Sequence, residues 1–362
     1  MEIYIGVLLT ISVFLVSLTN FNNGYEKKDK QSQKVITLVL SFAFAFLLFM
    51  QTFRAISVGG DLEESYYGLY RFIGKNNITT IIKSYPHYEI GYILLNKIVY
   101  IISGGNIHAL LFVIAAFFLF SLFKYIRRDS SNRIFSLFIF FSLGMFNTSM
   151  NNLRSTLAIS FILLSLSCYF RKKYFETLVL FIAAFFFHRT ILVFALFFSI
   201  SLIKKHKIRL ILYIVLFVVL LFGYSLFQMF INRFFPTYNG YFEVNSDGGY
   251  NLLFVLLLFF CLLVLFCKKE IFKNDISNKM VQMLICAICF QLISIRIPFF
   301  ARVTFYFMYS LVLLIPEVVA NIKYKGAQPL VIFAFCFSLF AFYIFVLKGD
   351  GSHTVPFVFD FK

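Results

Sequence analysis

The sequence predicts an all-α protein, a polytopic transmembrane helix bundle, and three observations predict it. Of 362 residues, 61% are hydrophobic and only 14% are charged, whereas soluble domains are roughly 45–50% apolar. The apolar residues gather into runs long enough to cross a bilayer. The short loops between alternate runs carry most of the Lys and Arg, as cytoplasmic loops of membrane proteins do.

The runs lie at about 3–20, 35–53, 107–123, 134–150, 153–170, 174–188, 190–203, 210–230, 251–267, 280–295, 303–321 and 329–347, which predicts about 12 spans. Spans of this number use roughly 240 positions, so a single transmembrane domain is expected over 1–362, with longer loops at 54–106 and 231–250. The start MEIYIGVLLT lacks a basic region and no small-residue cleavage site follows it, which reads as an uncleaved first span. A thirteenth segment, 89–103, is short and carries Glu89 and Lys97. Letting it cross would invert the later loops and place most basic ones outside. It is therefore read as an interfacial or re-entrant helix, which is permitted where protein satisfies its backbone. Both termini are then outside, and loops 54–106 and 231–250 face the periplasm.

The net charge of +17 would suggest nucleic acid in a soluble protein; in a membrane protein it sets sidedness, and no nucleic acid is expected. Six loops expected inside hold 21 of the 33 basic residues, and these are mostly Lys. The outer side instead holds seven Arg: Arg54, Arg71, Arg154, Arg189, Arg233, Arg296 and Arg302. Topology is indifferent to Arg versus Lys, whereas the planar guanidinium fork suits phosphate and carboxylate. Arg54 ends the second span, Arg154 opens the fifth, Arg189 follows the sixth, and Arg296 and Arg302 flank a break at Pro298. An anion site at the outer leaflet accounts for this set; snorkelling to headgroups is the plainer alternative. The six cysteines lie in or beside apolar runs, so Cys286-x-x-Cys289 reads as packing rather than redox or zinc chemistry.

The loop 54–106 opens FRAISVGGDLEESYYGLYR. Gly59 and Gly60 free the backbone ahead of Asp61, Glu63 and Glu64. Tyr66, Tyr67, Tyr70, Tyr85 and Tyr88 surround them, an arrangement that suits sugar rings, or else an interfacial tyrosine belt. Of these, Tyr66, Tyr67 and Tyr85 are the candidate sugar contacts. The three acids offer a divalent cation as an alternative, but no metal or other cofactor is expected. His188 ends the run LVLFIAAFFFHRT beside Arg189 and is a candidate general base, followed by Glu89 and Asp61. No phosphate-binding loop, His-Glu-x-x-His or Gly-x-Ser-x-Gly motif occurs, which removes support for nucleotide hydrolysis, zinc proteolysis and hydrolase chemistry.

The ordered set FRAISVGGDLEESYYGLYR, YEIGYILLNKIV, NNLRSTLAISFILL, FIAAFFFHRTILV and ARVTFYFMYSLVLLIP resembles the EpsG-like branch of the Wzy-type oligosaccharide repeat-unit polymerases, over roughly residues 50 to 315. Leu62 stands where that family often has Thr, and Glu89, Gly91 and Tyr92 satisfy its Glu-x-Gly-Tyr helix start. The resemblance carries over Arg54, Asp61, Glu89, Arg154, His188 and Arg302. It implies a polyprenyl-diphosphate-dependent glycosyltransferase at the outer face of the bacterial inner membrane, independent of metal. Its expected partners are undecaprenyl-pyrophosphate-linked glycan donor and acceptor, membrane lipids, and flippase and chain-length regulator proteins. Arg154 and Arg302 would take the pyrophosphate, supported by Arg54, Arg189 and Arg296. A flippase for lipid-linked oligosaccharide is the rival expectation, and a membrane O-acyltransferase is disfavoured because His188 falls on the outer side.

Overall fold

A computed structural model describes residues 1–18, 30–223, 229, 233, 249–267, 271–295, 297–322 and 328–361. The described chain is helical, and its one β-bridge joins Arg54 to Phe359. It divides into two compact units, residues 1–189 with 322–362, and residues 190–321.

The first unit contains α1 (Glu2–Leu18), α2 (Lys30–Thr52), a π-helical turn Leu62–Tyr66, α3 (Tyr67–Lys75), α4 (Ile78–Ser84), α5 (Ile90–Ser103), α6 (Ile107–Asp129), α7 (Arg133–Ser142), α8 (Met145–Asn151), α9 (Leu153–Phe170) and α10 (Tyr174–Phe187). Asparagines start several helices: Asn77, Asn106 and Asn132 each accept a backbone N–H of the first turn, at 2.9, 2.8 and 3.1 Å, so orphan donors are satisfied locally. Gly104 ends α5 and Gly144 separates α7 from α8, both at positive φ. The α7–α8 pair bends by 58° at that glycine. Helix α9 lies at the centre, packed between α6 and α10, and is buried over most of its length, with Thr156, Ser160 and Ser165 among the buried residues.

The helices α3 and α5 form a small layer with α6. Leu62, Tyr66, Tyr70, Ile73 and Tyr92 are buried together with Leu110 and Leu157. Lys97, the residue that weighs against α5 as a span, is used locally: its Nζ donates to the carbonyls of Ile73, Gly74 and Asn76 at 3.1, 2.8 and 2.8 Å, closing the C-terminus of α3. At 14 residues α5 is shorter than a crossing helix.

The second unit contains α11 (Val193–Ser201), α12 (His206–Phe222), α13 (Gly249–Phe266), α14 (Asp275–Ser294), α15 (Phe299–Met308) and α16 (Leu311–Ala320). Helix α14 is its centre, and Phe290 stacks on Phe300 and Phe307 at 5.7 and 5.6 Å. Cys286 is buried within α14 as a free thiol.

The chain returns to the first unit through α17 (Gln328–Gly349). The segment after it pairs with the end of α2. Ala55 N–H donates to Val358 O at 2.8 Å, Asp360 N–H to Phe53 O at 2.8 Å and Gly59 N–H to His353 O at 2.7 Å. Thr354 accepts from Asn147 at 2.8 Å through its hydroxyl, and its carbonyl accepts from the Tyr4 hydroxyl at 3.0 Å. The start of α1, the end of α2 and this strap therefore share one end of the unit.

Among the described residues, five helices have the length and apolarity to cross a bilayer: those at 33–52, 107–129, 153–170, 275–294 and 329–349. Counting each bent pair, α7 with α8 and α15 with α16, as one span gives seven. The remaining apolar runs of the sequence form shorter helices, and part of 210–230 and most of loop 231–250 lie outside the described residues.

Candidate active site

Three chain breaks converge in the first unit: the start of α5, the start of α9 and the end of α10. Glu89 is the residue before α5 and is 3% exposed. Its Oε2 accepts from Arg154 Nη1 at 2.9 Å, in the first turn of α9. Its Oε1 accepts from the Arg189 backbone N–H at 3.1 Å and lies 3.4 Å from His188 Nδ1, just past the end of α10. One buried carboxylate thus ties together three segments far apart in sequence.

Burial by itself would push the Glu89 carboxyl up, but His188, Arg154 and the Arg189 N–H outweigh it and hold the carboxyl down at about 2. Arg154 is fixed on a second side by aromatic faces. Its guanidinium lies over the Tyr88 ring at 4.3 Å, a cation–π contact, and the Tyr66 hydroxyl is a further hydrogen-bond partner. The Arg154 side chain remains 17% exposed, so the ion pair does not seal it off. Gly91 explains how α5 comes so near: a Cβ there would stand 2.7 Å from the Phe186 carbonyl oxygen, so only glycine lets α5 reach the end of α10.

Asp61 is tied to the end of α8, just before α9 begins. Its backbone N–H donates to Asn151 Oδ1 at 2.9 Å, and the preceding Gly59 has φ +98 and lies against the Met150 carbonyl. Tyr66 is buried, its ring packed edge-on to Tyr92 at 5.7 Å, so it serves Arg154 and the core rather than presenting a face. Tyr67 lies beneath Arg71 at 5.7 Å, and Tyr85 packs against Phe72 and Tyr88 at 5.1 and 5.9 Å. Both are half-buried at the rim. Glu63 and Glu64 are exposed.

Arg54 occupies a separate place. It is 1% exposed, lies under the strap at its bridge to Phe359, and has Nε and Nη1 without a hydrogen-bond partner among the described residues. Burial pulls its pKa down to about 9, with Tyr4 opposing. Arg189 presents its side chain to solvent and its backbone to Glu89. Arg302 lies in the second unit on α15, half-buried, and Arg296 lies outside the described residues. In that unit the Tyr306 and Thr190 hydroxyls meet at 2.8 Å.

Tyr88, read from sequence only as one of the loop aromatics, and three residues not singled out there complete the picture. Tyr88 carries Arg154, Asn151 holds the Asp61 backbone, and His353 of the strap packs its ring on Gly60. His87 lies exposed beside the cluster, its pKa lowered by burial and then by Arg154, with Glu89 opposing. The doubled asparagine before Leu153-Arg154 is a helix-start signal and could have marked Asn151.

Fold and site define a helical membrane protein that holds a buried carboxylate–guanidinium–imidazole cluster at an aromatic-rimmed end. The chain belongs to the EpsG family, whose model matches residues 37–359; this is a family of Wzy-type polymerase-like proteins. No curated protein and no solved structure matches the chain.

Proposed function

We propose that the protein is a polymerase that joins polyprenyl-pyrophosphate-linked oligosaccharide repeat units at the outer face of the bacterial inner membrane. The observation that carries this reading is the Glu89–Arg154–His188 cluster, which combines a fixed cation with an oriented imidazole. In the reaction the acceptor hydroxyl oxygen bonds to the anomeric carbon of the donor sugar. The bond from that carbon to pyrophosphate breaks, and the leaving group takes the electron pair. Arg154 spends one nitrogen on Glu89 and directs its remaining donors to the developing pyrophosphate charge. Within the same unit Arg54 is a further phosphate ligand, with Arg189 in support.

The three candidate bases divide by geometry. A carboxyl held at about 2 is a poor proton acceptor at neutral pH, so Glu89 is a positioning residue. It faces His188 Nδ1 and leaves Nε2 to accept the acceptor proton, as the acid of a triad does for its histidine. Asp61 and the tyrosine rim, Tyr67 and Tyr85, face the incoming glycan. Sidedness is supported by the opposite end of the first unit, where Arg171 pairs with buried Asp129 at 2.7 Å and Arg133 donates to Gln33 at 3.1 Å among further basic residues.

The test is an in vitro assay of purified protein with a lipid-linked repeat unit, run with and without chelator. The parent is expected to make a ladder of longer glycans that survives chelation. Arg154→Ala and His188→Ala should each lose roughly 100- to 1000-fold in rate while remaining monodisperse. Movement of the lipid across liposomes without any ladder would overturn the proposal and leave a flippase.

A further inference from the structure

The cleft between α1, α2 and α7 has no part in the site described above. Its volume is about 410 Å³, and its lining is almost wholly hydrocarbon, including Gly6, Val7 and Thr10 of α1, Ala43 and Leu47 of α2 and Leu137 of α7. A Cβ at Gly6 would meet nothing within 4 Å, so this glycine relieves no crowding and instead leaves the cleft open. Along α1 the lining runs from Ile3 to Phe14, roughly 16 Å at 1.5 Å per residue. Those proportions suit a single extended hydrocarbon chain, and an apolar cleft among membrane helices is most stable when hydrocarbon fills it.

The same two helices lead to a buried cation. Leu47 of the lining lies about one and a half turns before the end of α2 at Thr52, and Arg54 follows two residues beyond that end. Tyr4, next to Ile3 in the lining, is fully buried at that end. Arg54 Nε and Nη1 and Thr52 Oγ1 are all buried without a hydrogen-bond partner among the described residues, and no carboxylate pairs with Arg54 among them. A buried charge without a counter-ion is unfavourable, and an anionic ligand supplies one.

We propose that the α1–α2–α7 cleft seats the isoprenoid chain of a polyprenyl-pyrophosphate substrate, with Arg54 and Thr52 as donors to its phosphates. A two-chain phospholipid fits one narrow channel poorly, and the choice of an isoprenoid lipid rests on the polymerase reading. The head group enters beneath the strap 353–359, which lies across Arg54, and so reaches the segment 54–61 that ends at Asp61.

The test uses the full chain in nanodiscs and a farnesyl pyrophosphate analogue with a benzophenone at the chain end. Photolabelling should map to peptides of α1 and α2, and undecaprenyl phosphate should compete while phosphatidylglycerol should not. Gly6→Phe and Ala43→Phe, which fill the cleft, and Arg54→Gln, which removes the cation, should each weaken labelling by about tenfold. Leu258→Phe on exposed α13 should not. Labels on other helices, or equal competition by phosphatidylglycerol, would overturn the proposal; the parent protein alone reports both, whatever the folding of the variants. Labelling in α1 and α2 of a protein that forms no polymer would sink the polymerase reading and leave the lipid seat standing.

Discussion

Arg154 is held by a carboxylate, an aromatic face and a phenol at once, and that combination fixes where its remaining donors point. Lysine could replace the charge but not the planar fork or the stacking on Tyr88. Glu89 is the more revealing residue, because its depressed pKa gives stability a pH signature. A carboxyl lowered from 4.5 to about 2 contributes about 3 kcal/mol, present above pH ~4.5 and lost as pH falls toward 2. Glu89→Gln should therefore lower the unfolding midpoint in detergent at neutral pH, and its difference from the parent should shrink through that window. A difference that stays constant with pH would show that Glu89 is not the ionised partner. Glu89, Arg154 and His188 were all legible in sequence, since ionisable residues beside long apolar runs are costly unless used. Tyr66 was legible only as an aromatic in a polar loop. The i→i+5 hydrogen bonding of its π-turn, Tyr67 N–H to Leu62 O, shifts the helix register there, and no residue pattern announces that.

Helix α5 shows how a short element can be decisive. Its sequence combines Glu89 before the first turn, Gly91 at the closest approach to α10, and Tyr92 in the core beneath Tyr66 and Tyr88. Gly→Ala inside a helix ordinarily stabilises by about 1 kcal/mol, but at Gly91 the methyl would meet a backbone carbonyl that cannot rotate away. Gly91→Ala should thus destabilise the protein and cut activity by about tenfold or more, because the Glu89–His188 and Glu89–Arg189 contacts separate. Gly68→Ala, at an exposed position of α3 where nothing lies within 4 Å, is the matched control and should stabilise by up to about 1 kcal/mol while leaving activity unchanged. Equal behaviour of the two variants would remove the close approach as the reason for glycine. Shortness, its two charges and the parity of the basic loops together give α5 its interfacial reading. The helix breaks at Gly144 and Met308 were not legible, since continuous apolar runs cover both and hydropathy does not register a bend.

For the whole molecule, the strap 350–361 is the organising contact. It joins α1, α2, α8 and α17 through Tyr4, Phe53, Asn147 and Tyr343, whose hydroxyl donates to Asn147 Oδ1 at 2.8 Å. Removing residues 350–361 should raise hydrogen exchange at residues 53–60 toward that of an open loop while α9 stays protected. Unchanged protection at 53–60 would show that the strap is not what holds the segment before Asp61. The helical class, the membrane setting and the family were readable from composition, loop charge and five short ordered stretches. The strap was not, because VPFVFDF looks like an ordinary apolar tail and its partners lie some 300 residues away in sequence.

The first unit is discontinuous: residues 322–362 complete a body begun by 1–189, with 190–321 made in between. At a synthesis rate of about 5–20 residues per second, the Arg54 end stands unroofed for on the order of ten to thirty seconds while the second unit is inserted. During that interval a lipid head group already in the membrane has free access to a site that the mature fold nearly closes, so biogenesis itself provides an occasion for first loading.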